Sequence, residues 1–146
     1  MKADTIEQLD ELFDNCPIMR AADVPTVQEV DAASKALDVS FPDDYREFIL
    51  RYGGATVGPY PIFGLRAWEL VDQHRWSVLD TTQEVRRVGV AEAAGWIVFS
   101  EDHAGNPIGL DANGKVWIYD HDFGGVSALA ESFEEYLRVQ CLKIVD

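Results

Sequence analysis

The stretch from Trp96 to Ala130 constrains this chain most, because it reads as strands joined by turns too short for crossovers. Trp96–Ser100 is a β-rich apolar run, as a buried strand requires. His103–Asn106 forms a turn, and Ile108–Asp111 is the next strand. Asn113-Gly114 is a strong hairpin signal, since both residues tolerate the positive φ of a tight two-residue turn. Val116–Asp120 returns as the partner strand, with Val116, Ile118 and Asp120 alternating against Trp117 and Tyr119. Gly124-Gly125 turns the chain again, and Val126–Ala130 adds a further strand. Strands linked this way run antiparallel.

Helical patterns flank this run. Tyr45, Phe48, Ile49 and Tyr52 share one face of a helix, with Pro42 suited to its first position and Asp43 and Asp44 in its first turn. Gly53-Gly54 ends it. Four S/T-x-x-E/Q pairs read as capping boxes: Thr5 with Gln8, Thr26 with Glu29, Thr81 with Glu84, and Ser132 with Glu135. They open helices with inner faces at Ile6/Leu9/Leu12/Phe13, at Val27/Val30/Ala33/Leu37, over Thr82–Arg87, and at Phe133/Tyr136/Leu137. Gly58-Pro59-Tyr60-Pro61 is turn chemistry, Ile62–Leu65 a short strand, and Trp68–Trp76 a short helical or irregular passage. Helices first, then hairpin-linked strands, then a helix predict an α+β fold, an antiparallel sheet with helices packed on one side. At 146 residues, 47% of them hydrophobic, the chain is expected to be one domain with one core.

Leu37, Phe41-Pro42, Asp44-Tyr45, Phe48-Ile49 and Gly53-Gly54 resemble the signature of the SUKH superfamily, with Phe41 where leucine is usual. The resemblance continues through Trp96–Phe99, Asp102, Gly105-Asn106, Ile108–Asp111 and Val116–Asp120 to the closing Ser132–Leu137 segment, and covers residues 27–142. It implies the same α+β architecture and one of two roles. Bacterial members are immunity proteins that neutralise polymorphic toxins, and fungal members are cell-wall regulators. Its motifs are patterns of size and polarity, and carry over no catalytic residues.

Charge bears on partners. The net charge is −14, of which residues 1–50 carry −8, residues 51–100 zero and residues 101–146 −6. Such a field repels nucleic acid and draws in a basic partner, though it also serves plain solubility. No apolar run is long enough to span a membrane, and the acidic start (Asp4, Glu7, Asp10, Glu11) is unlike a signal peptide. Cys16 and Cys141 read as free thiols, so a cytoplasmic location is expected.

Asp102-His103 and Asp120-His121-Asp122 are the residues closest to a reactive cluster. An Asp–His pair activates water, and His with Asp can hold a metal, which would make the chain a small hydrolase or metal enzyme. No established ligand spacing is present, however, and Asp and His at strand ends are also ordinary turn residues. Ser77, Ser100 and Ser127 lack a nucleophile elbow, the glycine pairs fit no phosphate loop, and Arg86-Arg87 is too small for a nucleic-acid patch. No catalytic residue, cofactor or metal is therefore expected. The expected function is binding of a basic cognate toxin, a nuclease in the reading that charge favours. Asp102, His103, Asp111, Asp120, His121 and Asp122 are the candidate contacts, with Asp43 and Asp44 as a second surface. A regulatory or scaffold module is the alternative. Trp68 and Trp76 are open between core and interface anchor.

Overall fold

A computed structural model describes residues 1–144. Helices α1 (Ala3–Asn15), α2 (Val27–Leu37) and α3 (Asp43–Tyr52) come first. A hairpin of β1 (Ala55–Val57) and β2 (Tyr60–Ile62) follows, then α4 (Val78–Val88). A meander of β3 (Ile97–Glu101), β4 (Pro107–Leu110), β5 (Val116–Asp120) and β6 (Gly125–Ala130) leads to α5 (Phe133–Tyr136). This last helix continues as a π-helical turn, Leu137–Cys141. The four strands pair antiparallel in chain order, as the hairpin signals predict. The fold is α+β.

The main core lies between one face of the meander and the helices. Tyr45, Phe48, Ile49 and Tyr52 of α3 are all buried, as their spacing requires. Phe133 meets Tyr45 and Phe99 edge-on, at ring-centroid distances of 5.1 and 5.2 Å. Buried Tyr45 needs an acceptor, and its hydroxyl donates to the Phe63 carbonyl at 2.6 Å. Burial raises its pKa well above that of free tyrosine. On the other face of the meander a smaller cluster joins Val98 and Trp96 to Val85 of α4 and to Ala93. Gly109 makes room for it: a Cβ there would lie 2.9 Å from the Trp96 ring. Helix α4 thus lies along the β3 edge and reaches the face away from the main core.

Local signals set most helix ends. Thr26 and Glu29 form the reciprocal capping box, with the Glu29 N–H donating to the Thr26 hydroxyl at 3.1 Å and the Thr26 N–H to Glu29 Oε1 at 3.2 Å. Ser132 accepts the Glu135 N–H at 3.1 Å. Gly53 closes α3 with φ of 78°. Pro42 stands one residue before the helix, as its extended cap, and not at the first helical position.

Two expected capping boxes are absent, for a tertiary reason. Helix α1 already begins at Ala3, and Thr5 is buried, its hydroxyl accepting from Arg138 Nη1 at 2.8 Å. Helix α4 begins a turn earlier than Thr81, capped by Ser77, whose hydroxyl accepts the N–H groups of Leu79 and Asp80. Thr81 and Thr82 are buried and direct their hydroxyls at β3. The expected strand at Ile62–Leu65 is replaced by the β1–β2 hairpin turning at Gly58-Pro59, with only Ile62 in a strand. The Phe63 N–H joins this hairpin to the meander, donating to the Phe99 carbonyl at 2.6 Å. Trp68 is core: it is 3% exposed, and its Nε1 donates to the Thr56 hydroxyl at 2.9 Å. Trp76 is half-buried against the same core.

Candidate partner-binding surface

In a meander each strand reverses direction, so alternate turns fall at the same end. The β3–β4 turn, with Asp102 and His103, therefore lies beside the β5–β6 turn, with Asp120, His121 and Asp122. Asn106 ties the two together. It is buried, its side-chain N–H donates to Asp102 Oδ2 at 2.9 Å, and its Oδ1 accepts the His121 backbone N–H at 3.1 Å. The sequence offers Asp102-His103 and Asp120-His121-Asp122 as candidates, and Asn106 in the His103–Asn106 turn is the residue that joins them.

The carboxylates here are held by their own turns. Asp102 Oδ1 accepts the N–H groups of Ala104 and Asn106 at 2.9 and 2.8 Å. Burial works against its charged form, but the Asn106 and Ala104 hydrogen bonds outweigh that and hold its pKa below the usual aspartate value. Asp120 Oδ1 accepts from the N–H groups of Asp122 and Phe123 at 2.9 and 3.2 Å. Asp122 stands free of the turn, its side chain 70% exposed and 3.6 Å from His121 Nε2. The His103 ring stacks on Tyr60 at 6.0 Å. Among the described residues no hydrogen bond joins the His103 or His121 ring to Asp102 or Asp120, whose carboxylates accept backbone N–H groups. Among the described residues no group of three or more His, Cys, Asp and Glu side chains is placed to hold a metal ion.

At the tip of the β5–β6 turn Phe123 is 89% exposed, the most open large apolar side chain among the described residues. Beside it a groove of about 180 Å³ is lined by Val88, Val90, Pro107, Tyr119 and His121. The nearby cation Arg75 lies between Glu84 and Glu101, at 2.6 and 3.0 Å, so the rim keeps its acidic balance. Phe123 is not among the candidates the sequence offers. Its only signal there was an aromatic residue inside an Asp-rich, glycine-ended turn.

Asp111, Asp43 and Asp44 lie elsewhere. Asp111 closes the β4–β5 turn at the opposite end of the sheet, accepting from the N–H groups of Asn113 and Lys115 and from Trp117 Nε1 at 2.9 Å. Burial again opposes its charged form, and the Trp117 and backbone hydrogen bonds again prevail, lowering its pKa. Gly114 of that turn faces Pro42, so Asp43 and Asp44 belong to the same end. Asp44 is structural: its carboxylate accepts the Tyr45 N–H at 2.8 Å and the Glu134 N–H at 2.9 Å, joining α3 to α5. A cleft of about 520 Å³ also lies at this end, between Val39-Ser40, Arg86, Gly95 and Asp111. Its arginine turns inward, with Nη1 donating to the Leu37 carbonyl at 2.7 Å.

These features define a class: a small α+β domain whose sheet has an acidic, aromatic-tipped end. The profile of the SMI1 / KNR4 family (SUKH-1) matches residues 25–139, and the chain belongs to that family. No curated protein matches the chain.

Proposed function

We propose that this chain is an immunity protein, acting by binding and not by catalysis. It covers a basic cognate toxin in the cytoplasm with the acidic end of its sheet. Membership of the SUKH-1 family supports the reading. The observation that carries it is the convergence of Asp102, Asp120 and Asp122 around the exposed Phe123 in a chain of net charge −14. A nuclease suits this surface, because a groove that holds phosphate must be basic. Asp102 and Asp120, already fixed by their own turns, lose little freedom on binding, and opposite fields speed encounter and make it salt-sensitive. Phe123 supplies an apolar anchor at the centre.

The test is co-purification with the product of a neighbouring toxin gene, followed by inhibition assays across a salt series. Inhibition that weakens with salt, and weakens again in the triple variant Asp102→Asn, Asp120→Asn, Asp122→Asn, is the expected result. Asparagine keeps the Oδ1 acceptor of each turn but removes the Asp102 Oδ2 that takes the Asn106 N–H, so the double variant Asp120→Asn, Asp122→Asn is the arm whose loss reports charge. Capture of regulatory proteins without toxic activity would move the function to a regulatory or scaffold module.

A further inference from the structure

The two edges of the meander are treated differently. At β3 the edge is closed by side chains and loop. The Val98 N–H donates to the Thr82 hydroxyl at 2.9 Å, and the Val98 carbonyl accepts from the Thr81 hydroxyl at 2.8 Å. The Phe99 carbonyl takes the Phe63 N–H, and Ser100 Oγ donates to the Pro61 carbonyl at 2.5 Å. At β6 nothing comparable is present among the described residues: its one strand neighbour is β5, and Gly125, Val126, Ser127 and Ala128 are all exposed.

Register shows which β6 groups point outward. Asp111 N–H donates to the Lys115 carbonyl, so the pair two residues on, Gly109 with Trp117, is also a hydrogen-bonded one. Trp117 then points its backbone groups at β4, and Ile118 and Asp120 point theirs at β6. Ile118 pairs with Ser127 and Asp120 with Gly125, which leaves the N–H and C=O of Val126 and Ala128 facing outward. Exposed edges are usually blunted by lysine, proline or a covering segment. Gly125–Ala130 has no charged residue and no proline.

Resting on the immunity reading above, we propose that the partner docks by adding an extended, basic segment to the free edge of β6. Backbone groups of Val126 and Ala128 would pair with it, and Phe123 would anchor one end. Charge selects this occupant. The edge is flanked by Asp120 and Asp122 at the turn and, at its far end, by Glu131, 78% exposed and paired with Lys115 Nζ at 3.8 Å. A second copy pairing antiparallel would bring its own Glu131 to Asp122, with −14 on each chain, so the edge rejects itself and accepts a cationic strand.

The full chain is tested by amide NMR with a capped six-residue peptide of alternating lysine and valine, and with its glutamate counterpart. The lysine peptide should move the Val126 and Ala128 amides more than any others, less so as salt rises, and the glutamate peptide should not. Ala128→Pro, which removes an outward N–H, and Val126→Lys, which adds an edge charge, should each abolish the effect. Retained protection of the Ser127 amide shows that the sheet is intact. Equal response to both peptides, shifts centred elsewhere, or self-association through the same amides in sedimentation would overturn the proposal. A toxin that is neutralised without slowed exchange at Val126 and Ala128 refutes edge pairing alone. Pairing with the peptide while the neighbouring toxin goes unbound refutes the immunity reading instead.

Discussion

Replacing Thr82 by valine tests whether a helix can stand in for a missing strand. Thr82 is fully buried, Val98 is 1% exposed, and the Val98 N–H has the Thr82 hydroxyl as its partner at 2.9 Å. Valine keeps the shape and removes the acceptor, so a buried donor is left unpaired, at a cost of roughly 1–3 kcal/mol. The added methyl group returns up to about 0.8 kcal/mol of apolar burial. A net loss of about 0.2–2 kcal/mol follows, which for a chain of 146 residues lowers Tm by roughly 1–7 °C. The assay is calorimetry with amide exchange at Val98. Thr82→Ser is the control: it loses a methyl group but keeps the acceptor, so the Val98 amide should stay protected. A Thr82→Val protein that melts with the parent and keeps the Val98 amide protected would refute the reasoning, because the β3 edge would then not depend on the threonine.

Gly109→Ala should destabilise by about 1–3 kcal/mol through overpacking and alter tryptophan fluorescence, since the new Cβ would press on the Trp96 ring; unchanged emission and melting would refute that packing. Burial pushes the Cys141 thiol up to about 12. A thiol reagent at pH 8 should therefore spare Cys141 until the protein unfolds, as peptide mapping of the labelled sites would show. Hydrogen bonds from Arg66, then from the Thr26 backbone, hold the Glu29 carboxyl at about 2, below its usual 4.5. A depressed carboxylate stabilises the fold fully above the unfolded value and loses that contribution as pH falls, here from 4.5 towards about 2. Urea titrations over that window should show a shallower acid loss for Glu29→Gln; an identical slope would count against the Arg66 link.

The elements legible in the sequence are those whose signals are local. The α3 stripe, the Thr26–Glu29 box and the Asn113-Gly114 turn each need only neighbours a few residues away, and each is found where its pattern predicts. The meander follows from turns too short for any other pairing. β1 was illegible because three residues between glycines carry too little pattern. Thr5 and Thr81 looked like caps because hydroxyl spacing is the same whether the oxygen serves its own helix or a distant chain.

The candidate site divides along the same line. Sequence alone determined the acidity and the turn residues, and the strand order of the meander then placed Asp102 and Asp120 at one end. Only the tertiary structure decided that Asn106 locks those turns, that Asp111 and Asp44 serve the fold at the other end, and that Phe123 stands in solvent. It also decided which sheet edge is open. Burial, and the choice of partner for each polar group, depend on what the rest of the chain brings alongside, and no window of neighbouring residues contains that.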